Sequence, residues 1–241
     1  MSGHSHAKTI LHKKQISDAK RGKVFSKLSR LISITVRDGA NPETNSKLRQ
    51  VIEEAKKFHL PKENIERAIK KGSGDLGDEA RLEEFVFEAY GPGGIALIIE
   101  GITDNKNRAL GEIKQILAQN KGKFAGSGSV KWLFGRKGCV TIDNEQQATS
   151  KEEMEMKAIE AGAEDIDWQD NVLNIYVNPE DLETTKEKVI KQKVDIDYSS
   201  LDWVAKEKIE ATENDQQACE KLFDLLDDNE SVQGVYSNLK I

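Results

Sequence analysis

The feature that most constrains the fold is a change of hydrophobic period at a Gly/Asp-rich segment, residues 72–78. Before this segment, apolar residues recur every three or four positions, which is typical of amphipathic helices. After it, short runs of β-branched and aromatic residues alternate with helical stretches, which is typical of packed α+β units. The sequence therefore predicts a helical N-terminal part and a larger α+β part, divided at this segment.

Three short helices are predicted in the N-terminal part. The first runs from Asp18 to about Arg37. The second begins at Pro42 or Asn45, and the third follows Pro61, a residue that the first helical turn tolerates. Each helix carries one apolar stripe, so the three can enclose a small core of their own.

In the second part, the sequence predicts two small α+β sandwiches of the ferredoxin-like, split βαβ kind. Residues 91–94 join two strands as a hairpin, and Thr103-Asp104-Asn105 caps the helix that follows. Further helices are expected at 151–161, from Pro179 to 192, and after Asn214 or Asp215. Further strands are predicted at 130–134, 139–142, 172–177, 196–204, 208–211 and 232–237. The predicted fold class is therefore α+β multidomain, with a three-helix domain at the N-terminus.

Positive charge is concentrated in the N-terminal part of a protein whose net charge is −6. Residues 1–74 hold 17 basic and 7 acidic side chains, whereas residues 75–241 hold 19 basic and 35 acidic ones. An acidic protein with a cationic end is suited to bind a polyanion there, and nucleic-acid phosphate is the commonest. We expect the acidic part to face away from nucleic acid or to contact a protein partner, such as a ribosome.

Basic residues on the first predicted helix lie opposite its apolar stripe, and no acid interrupts them after Asp18. A solvated face usually mixes both signs, so we interpret this one as a phosphate-binding surface. A second phosphate contact is predicted at residues 105–108, where the helix after Thr103-Asp104-Asn105 begins. An ordinary helix cap with solvated neighbours is the alternative. The candidate nucleic-acid-binding residues are Lys8, His12, Lys13, Lys14, Lys20, Arg21, Lys23, Lys27, Arg30, Arg37, Lys106 and Arg108.

No catalytic site is predicted. Residues 122–128 are glycine-rich but lack the Lys-Ser or Lys-Thr pair of a phosphate loop, so we interpret them as a turn. A metal-dependent nuclease using Glu100, Asp104 and Glu112 is a remote alternative. Ser2-Gly3-His4 has the donor pattern of a square-planar copper or nickel site, which we do not expect to be used. We predict no cofactor, no metal and no small-molecule substrate.

The chain carries no signal for a membrane or for secretion. No apolar run approaches the roughly 20 residues that span a bilayer, and the first residues lack an apolar secretory segment. Cys139 and Cys219 form no CxxC motif and are interpreted as ordinary reduced thiols. We therefore expect a cytoplasmic protein with no membrane partner. A trimmed organelle transit peptide is the alternative that stays open.

An ordered set of short motifs runs along nearly the whole chain. The motifs are Gly3-His4-Ser5, His12-Lys13-Lys14, residues 18–23, Asn41-Pro42 with Leu48-Arg49, residues 64–69, 90–94, 103–108, 126–134, 161–165 and 235–238. With this set of motifs, the chain resembles the YebC/PmpR family. It departs from the usual family pattern at Ala7, where an aromatic Trp is common, and at Ala109, where Thr is common.

The resemblance implies three domains: residues 1–74, residues 79–138 together with 206–241, and an inserted acidic α+β domain at 139–205. It also implies DNA-binding transcriptional regulation without catalysis, as bacterial members are described. The family includes a mitochondrial translational activator and ribosome-associated members, which imply the alternative of a translation factor that binds ribosomal RNA or tRNA. The charge pattern does not choose between these roles, because the sequence shows no recognisable element for reading bases or RNA shape.

Overall fold

The structure is a computed structural model that describes residues 18–74, 82–146 and 149–240. The chain begins with three helices, α1 (Asp18–Thr35), α2 (Ser46–Lys57) and α3 (Lys62–Ser73). It continues through β1 (Glu83–Tyr90), β2 (Ala96–Thr103), α4 (Lys106–Gln119), β3 (Lys123–Ala125), β4 (Phe134–Asp143), α5 (Lys151–Ala161), β5 (Asp165–Gln169), β6 (Val172–Val177), α6 (Leu182–Lys191), β7 (Tyr198–Ala205), α7 (Glu213–Asp227) and β8 (Val232–Ser237).

The three N-terminal helices enclose one apolar core, as their stripes predict. Leu28 and Ile32 of α1 meet Leu48 of α2 and Ile65 of α3 there, and all four are buried. Asn45 caps α2, because its side-chain oxygen accepts a hydrogen bond from the backbone N–H of Leu48 at 3.0 Å.

Helices α1 and α3 approach each other closely at Gly72. A Cβ atom at this position would lie 2.3 Å from the backbone oxygen of Ser33, so a larger residue would push the helices apart. The Ser33 hydroxyl donates to the carbonyl oxygen of Ala68 at 2.8 Å, which fixes the two helices in register.

The first sheet has the strand order β3-β1-β2-β8, and every neighbouring pair is antiparallel. The predicted hairpin at residues 91–94 is confirmed as the connection between the two central strands. Strand β2, helix α4 and strand β3 form a split βαβ unit around β1. Helices α4 and α7 cover one face of this sheet, with Ile113, Leu117 and Leu222 fully buried against it.

The second sheet, with the order β5-β6-β4-β7, lies between β3 and β8 in the chain. Its elements run β-α-β-β-α-β and all neighbouring strands are antiparallel, which is the ferredoxin-like arrangement. Met154 of α5 and Val189 of α6 pack on its core beside Leu173 and Ile175. The predicted α+β multidomain fold class is confirmed.

Several predicted strands are corrected. Residues 131–133 form a short 3-10 turn, and the strand after it begins at Phe134 and includes 139–142. Residues 134–138 therefore pair with the second sheet, although the predicted domain boundaries place them in the domain of residues 79–138 and 206–241. The segment at 208–211 makes only one isolated bridge, from Ile209 to Leu239. Helix α7 is capped by Thr212 rather than by Asn214 or Asp215.

Two smaller apolar clusters join the parts of the molecule. Ile98 and Tyr236, on the open face of the first sheet, pack with Phe134 and Ala205 of the second sheet. Ile34 of α1 packs with Leu82 and Ile102. Across the described ranges, no helix is long and apolar enough to cross a membrane.

Candidate nucleic-acid interface

The cationic face of α1 packs against the acidic end of α7. Lys27 Nζ lies 2.6 Å from both the carboxylate and the carbonyl oxygen of Asp227, and each of the two side chains is 13% exposed. Lys23 Nζ lies 3.2 Å from Asp228. The carbonyl end of a helix carries partial negative charge, which adds to the attraction. Contrary to the expectation that the acidic part faces away from nucleic acid or contacts a protein partner, its α7 end packs on this face and pairs with Lys27. Whether Lys27 also contacts phosphate stays a prediction.

Arg30 follows on the same face of α1 and contacts Glu230. Its guanidinium donates to the backbone oxygen of Glu230 and lies 3.3 Å from that residue's carboxylate. Its side chain also lines a cleft of about 340 Å³ between α1, α3 and the start of α4, which we call the α1–α3 cleft. The residues that line this cleft are Phe25, Ser26, Ser29, Arg30, Ser33, Asn64, Arg67, Ala68, Lys71, Leu82 and Asp104.

The start of α4 reaches the same cleft through Asp104. Asn105 caps the helix by accepting a hydrogen bond from the backbone N–H of Arg108 at 3.0 Å, so the predicted cap is confirmed. The Arg108 guanidinium donates to the Asp104 carboxylate. Lys106, the first residue of α4, is exposed.

A backbone hydrogen bond and two arginines control the ionisation of Asp104. Burial alone would raise the pKa of Asp104, but a backbone hydrogen bond and the charges of Arg108 and Arg30 hold it below its ordinary value. The fold thus brings Arg30 and Arg108, which come from the two separately predicted phosphate contacts, to one carboxylate. Whether either arginine contacts phosphate stays a prediction.

The other candidate residues are dispersed. Lys8, His12, Lys13, Lys14 and the Ser2-Gly3-His4 pattern lie outside the described residues. Lys20 and Arg21 lie near the start of α1, and Arg21 is exposed. The guanidinium of Arg37 donates to the backbone oxygen of Leu82, which ties the end of the first helix to the start of the first sheet.

The three carboxylates of the nuclease alternative have other partners. Glu100 accepts hydrogen bonds from Arg136 at 2.8 Å and from the Trp203 indole at 2.7 Å. Glu112 accepts one from Asn229 at 2.8 Å. In the part of the chain that the structure describes, no group of three or more His, Cys, Asp or Glu residues could hold a metal ion. The nuclease alternative therefore gains no support from this geometry.

Two basic residues of the cleft are absent from the candidates that the sequence pattern suggests. Arg67 and Lys71 are exposed and stand four positions apart on α3, so they lie on one helix face. The four-residue spacing of these two basic residues could have predicted a basic face on α3. The apolar stripe of the same helix is the stronger pattern, and it indicates only a core-facing helix. The structure places this second basic face across the cleft from Arg30.

Comparison with known proteins gives matches along the chain. A family model described as the TACO1/YebC protein N-terminal domain matches residues 5–75, and one described as the TACO1/YebC second and third domain matches residues 82–239. A relative from Caldanaerobacter subterraneus subsp. tengcongensis is 42% identical, covering 100% of this chain and 99% of that protein. One from Fervidobacterium nodosum is 44% identical, covering 100% and 94%. Both relatives are named as probable transcriptional regulatory proteins.

A solved structure is also similar to this chain. The crystal structure of a conserved hypothetical protein from Aquifex aeolicus superposes with a TM-score of 0.88 at 41% sequence identity. The match covers 96% of this chain and 95% of the other. The arrangement of three helices and two sheets described above is therefore shared with a solved protein.

Proposed function

The chain belongs to the TACO1/YebC family, also called YebC/PmpR, and from this we propose that it is a DNA-binding transcriptional regulator of the cytoplasm. The names of its bacterial relatives support a regulatory role at a coarse level. The observation that carries the DNA-binding step is the α1–α3 cleft, where basic side chains from two helices face one opening. The proposed role requires binding and no covalent chemistry.

Both helices supply basic side chains to phosphate binding in the cleft. Arg30 lines it from α1 while it contacts Glu230. Arg67 and Lys71 line the cleft from the exposed face of α3. Serine hydroxyls at positions 26 and 29 of α1 line the same opening and are suited to donate to phosphate oxygens. We therefore place a phosphate contact at Arg67 and Lys71, two exposed cations on one face of α3 that line the opening.

Removing these two charges tests the proposal. The double variant Arg67→Ala, Lys71→Ala should bind duplex DNA at least tenfold more weakly, because fewer counterions are released when fewer phosphates are neutralised. The slope of log K against log salt should become shallower by about 0.9 for each phosphate that the variant no longer neutralises. Fluorescence anisotropy across a salt series measures both quantities on the full chain.

A matched control is available on the same helix. Lys62→Ala, Lys70→Ala removes the same charge from α3 at positions that do not line the cleft. The control should keep the salt slope of the unaltered protein. Equal losses of affinity in the two double variants would show that net charge, and not the cleft, determines binding.

The same assay distinguishes regulation at DNA from an action on the ribosome. A transcriptional regulator should prefer a defined promoter over random duplex, because specific regulators typically discriminate by about 1,000-fold or more. A translation factor needs no such preference, since folded RNA offers its own shape and charge pattern. Binding with no promoter preference, combined with co-sedimentation with ribosomes, would overturn the transcriptional proposal. The acidic surface of the two α+β domains would then be the candidate for protein contacts.

A further inference from the structure

Two exposed aromatic rings, Trp132 and Tyr90, converge on one backbone oxygen. The side chain of Trp132 is 66% exposed, although its indole N–H donates to the carbonyl oxygen of Ser129 at 3.0 Å. Tyr90 is 37% exposed, and its hydroxyl donates to the same oxygen at 3.4 Å. Large aromatic side chains are normally buried, so a pair that is held in place at the surface indicates a contact site. We call Tyr90 and Trp132, together with the supporting segment 126–131, the Trp132 platform.

The platform is fixed from below by a buried carboxylate. Glu88 in β1 accepts hydrogen bonds from the backbone N–H groups of Gly128, Val130 and Lys131, at 2.6, 2.7 and 2.8 Å. Only 5% of Glu88 is exposed. Three charge-assisted hydrogen bonds hold the segment in one conformation, so the rings are presented with little cost in conformational entropy on binding.

The rim of the platform is positively charged. Lys206 Nζ donates to the backbone oxygen of Trp132 at 2.9 Å, which brings this ammonium group next to the exposed ring. Lys123 of β3 is exposed and directly opposite Tyr90 in the strand pairing. Lys131 Nζ lies 5.0 Å from the centre of the neighbouring Trp203 ring. The carboxylate of Glu88 points inward to the three amides, so it does not cancel these charges at the surface.

We propose that the Trp132 platform stacks an unpaired nucleobase, while Lys123 and Lys206 contact the phosphates on either side of it. An exposed aromatic ring between cations matches the two recurring parts of single-stranded nucleic-acid sites, a stacking surface and a charged path for the backbone. A duplex does not offer such a base, because its bases are stacked on one another inside the helix. The inference rests on the proposed function in one respect, namely that the partner is a nucleic acid.

Short single strands of RNA and of DNA, each with a fluorescent label at one end, test this site on the full chain. Trp132→Ala should weaken the binding of at least one of them by about 5- to 150-fold, because stacking contributes about 1–3 kcal/mol per base. Trp132→Phe keeps an aromatic face and should restore most of the affinity. The strand that responds more strongly identifies the sugar that the site prefers.

A second tryptophan provides the control. Trp168 lies in the second sheet, where its indole N–H donates to Glu155 at 2.7 Å. Trp168→Phe should leave single-strand affinity unchanged. Single strands should quench part of the tryptophan fluorescence in the unaltered protein and in Trp168→Phe, but not in Trp132→Ala. Unchanged binding and unchanged quenching in Trp132→Ala would overturn the inference. A loss of affinity for acidic peptides, with none for nucleic acid, would also overturn it and would assign the platform to a protein partner.

The two proposals fail in distinguishable ways. If Trp132→Ala has no effect but Arg67→Ala, Lys71→Ala loses duplex binding, the cleft proposal stands and the platform inference fails. If single strands depend on Trp132 while duplex DNA binds neither variant nor the unaltered protein, the platform inference stands and DNA regulation fails. The duplex titration tests the cleft proposal, and the single-strand titration tests the platform inference.

Discussion

Lys27→Glu should lower the free energy of unfolding by about 3 kcal/mol, because it replaces a largely buried ion pair by two like charges. Lys27 and Asp227 are each 13% exposed, and Lys27 Nζ lies 2.6 Å from both oxygens that it contacts. Neither carboxylate in the variant could be fully hydrated without separating α1 from the end of α7. Urea unfolding monitored by circular dichroism measures the destabilisation.

The neighbouring pair is a control within the same interface. Lys23 and Asp228 are 39% and 45% exposed and lie 3.2 Å apart. Solvent screens such a pair, so Lys23→Glu should cost no more than about 1 kcal/mol. Adding Asp227→Lys to Lys27→Glu reverses the pair and should recover part of the stability. Equal destabilisation at positions 23 and 27 would show that burial of the ion pair does not determine its contribution, and no recovery on reversal would show that the Lys27–Asp227 pair is not the source of the loss.

Glu88→Ala should cost about 3–5 kcal/mol of unfolding free energy and should also abolish stacking on the Trp132 platform. The substitution leaves the N–H groups of Gly128, Val130 and Lys131 without their acceptor. An unsatisfied buried donor costs about 1–3 kcal/mol, as expected for Val130, and the partly buried donors of Gly128 and Lys131 add smaller amounts. Glu84→Ala, on an exposed position of the same strand, should change neither stability nor binding appreciably. Thermal unfolding and the single-strand titration measure the two effects separately. Reduced stability with intact single-strand binding would show that the segment need not be rigid to stack a base.

The ionisation of Glu88 gives this prediction a pH dependence. Burial alone would raise the pKa of Glu88, but the three backbone hydrogen bonds and the charge of Lys131 outweigh it and hold the pKa below its ordinary value of 4.5. A carboxyl group whose pKa is lowered on folding stabilises the folded state above its unfolded pKa. That contribution is lost as the pH falls from about 4.5 through the lower folded value. The stability difference between the unaltered protein and Glu88→Ala should therefore shrink in acid.

Local patterns in the sequence predict much of the fold. The spacing of apolar residues predicts helix α1, and the glycines of residues 91–94 predict the hairpin. Both signals come from residues that are close together in the sequence. Strand β5 escapes prediction because Asp165 and Asp167, residues that are rare in strands, stand in an edge strand of only five residues. Strand β3 escapes prediction because it occupies three positions inside a glycine-rich segment.

The candidate sites are harder to predict because their contacts are distant in sequence. Lys27 and Asp227 are separated by 200 positions, so the pattern on α1 alone cannot show that Lys27 is paired. Glu88 lies beside buried Phe87 and Ala89 in β1, and the amides that it accepts from are about 40 residues away. Trp132 falls within a predicted strand, where an aromatic residue is ordinary, and its exposure becomes visible only in the fold.

The sequence of the second sheet is inserted between strands β3 and β8 of the first sheet, and this has a consequence for the nascent chain. Phe134 of β4 is paired with Ala205 of β7, so the second sheet starts and ends side by side and can close as soon as β7 has been made. The first sheet must wait for β8, and at 5–20 residues per second the ribosome needs on the order of ten seconds to pass from β3 to β8. During that interval Ile98 and Ile99 of β2 lack the strand that pairs beside them. Chaperones that cover apolar surface as it emerges from the ribosome are therefore expected to be needed mainly for the first sheet.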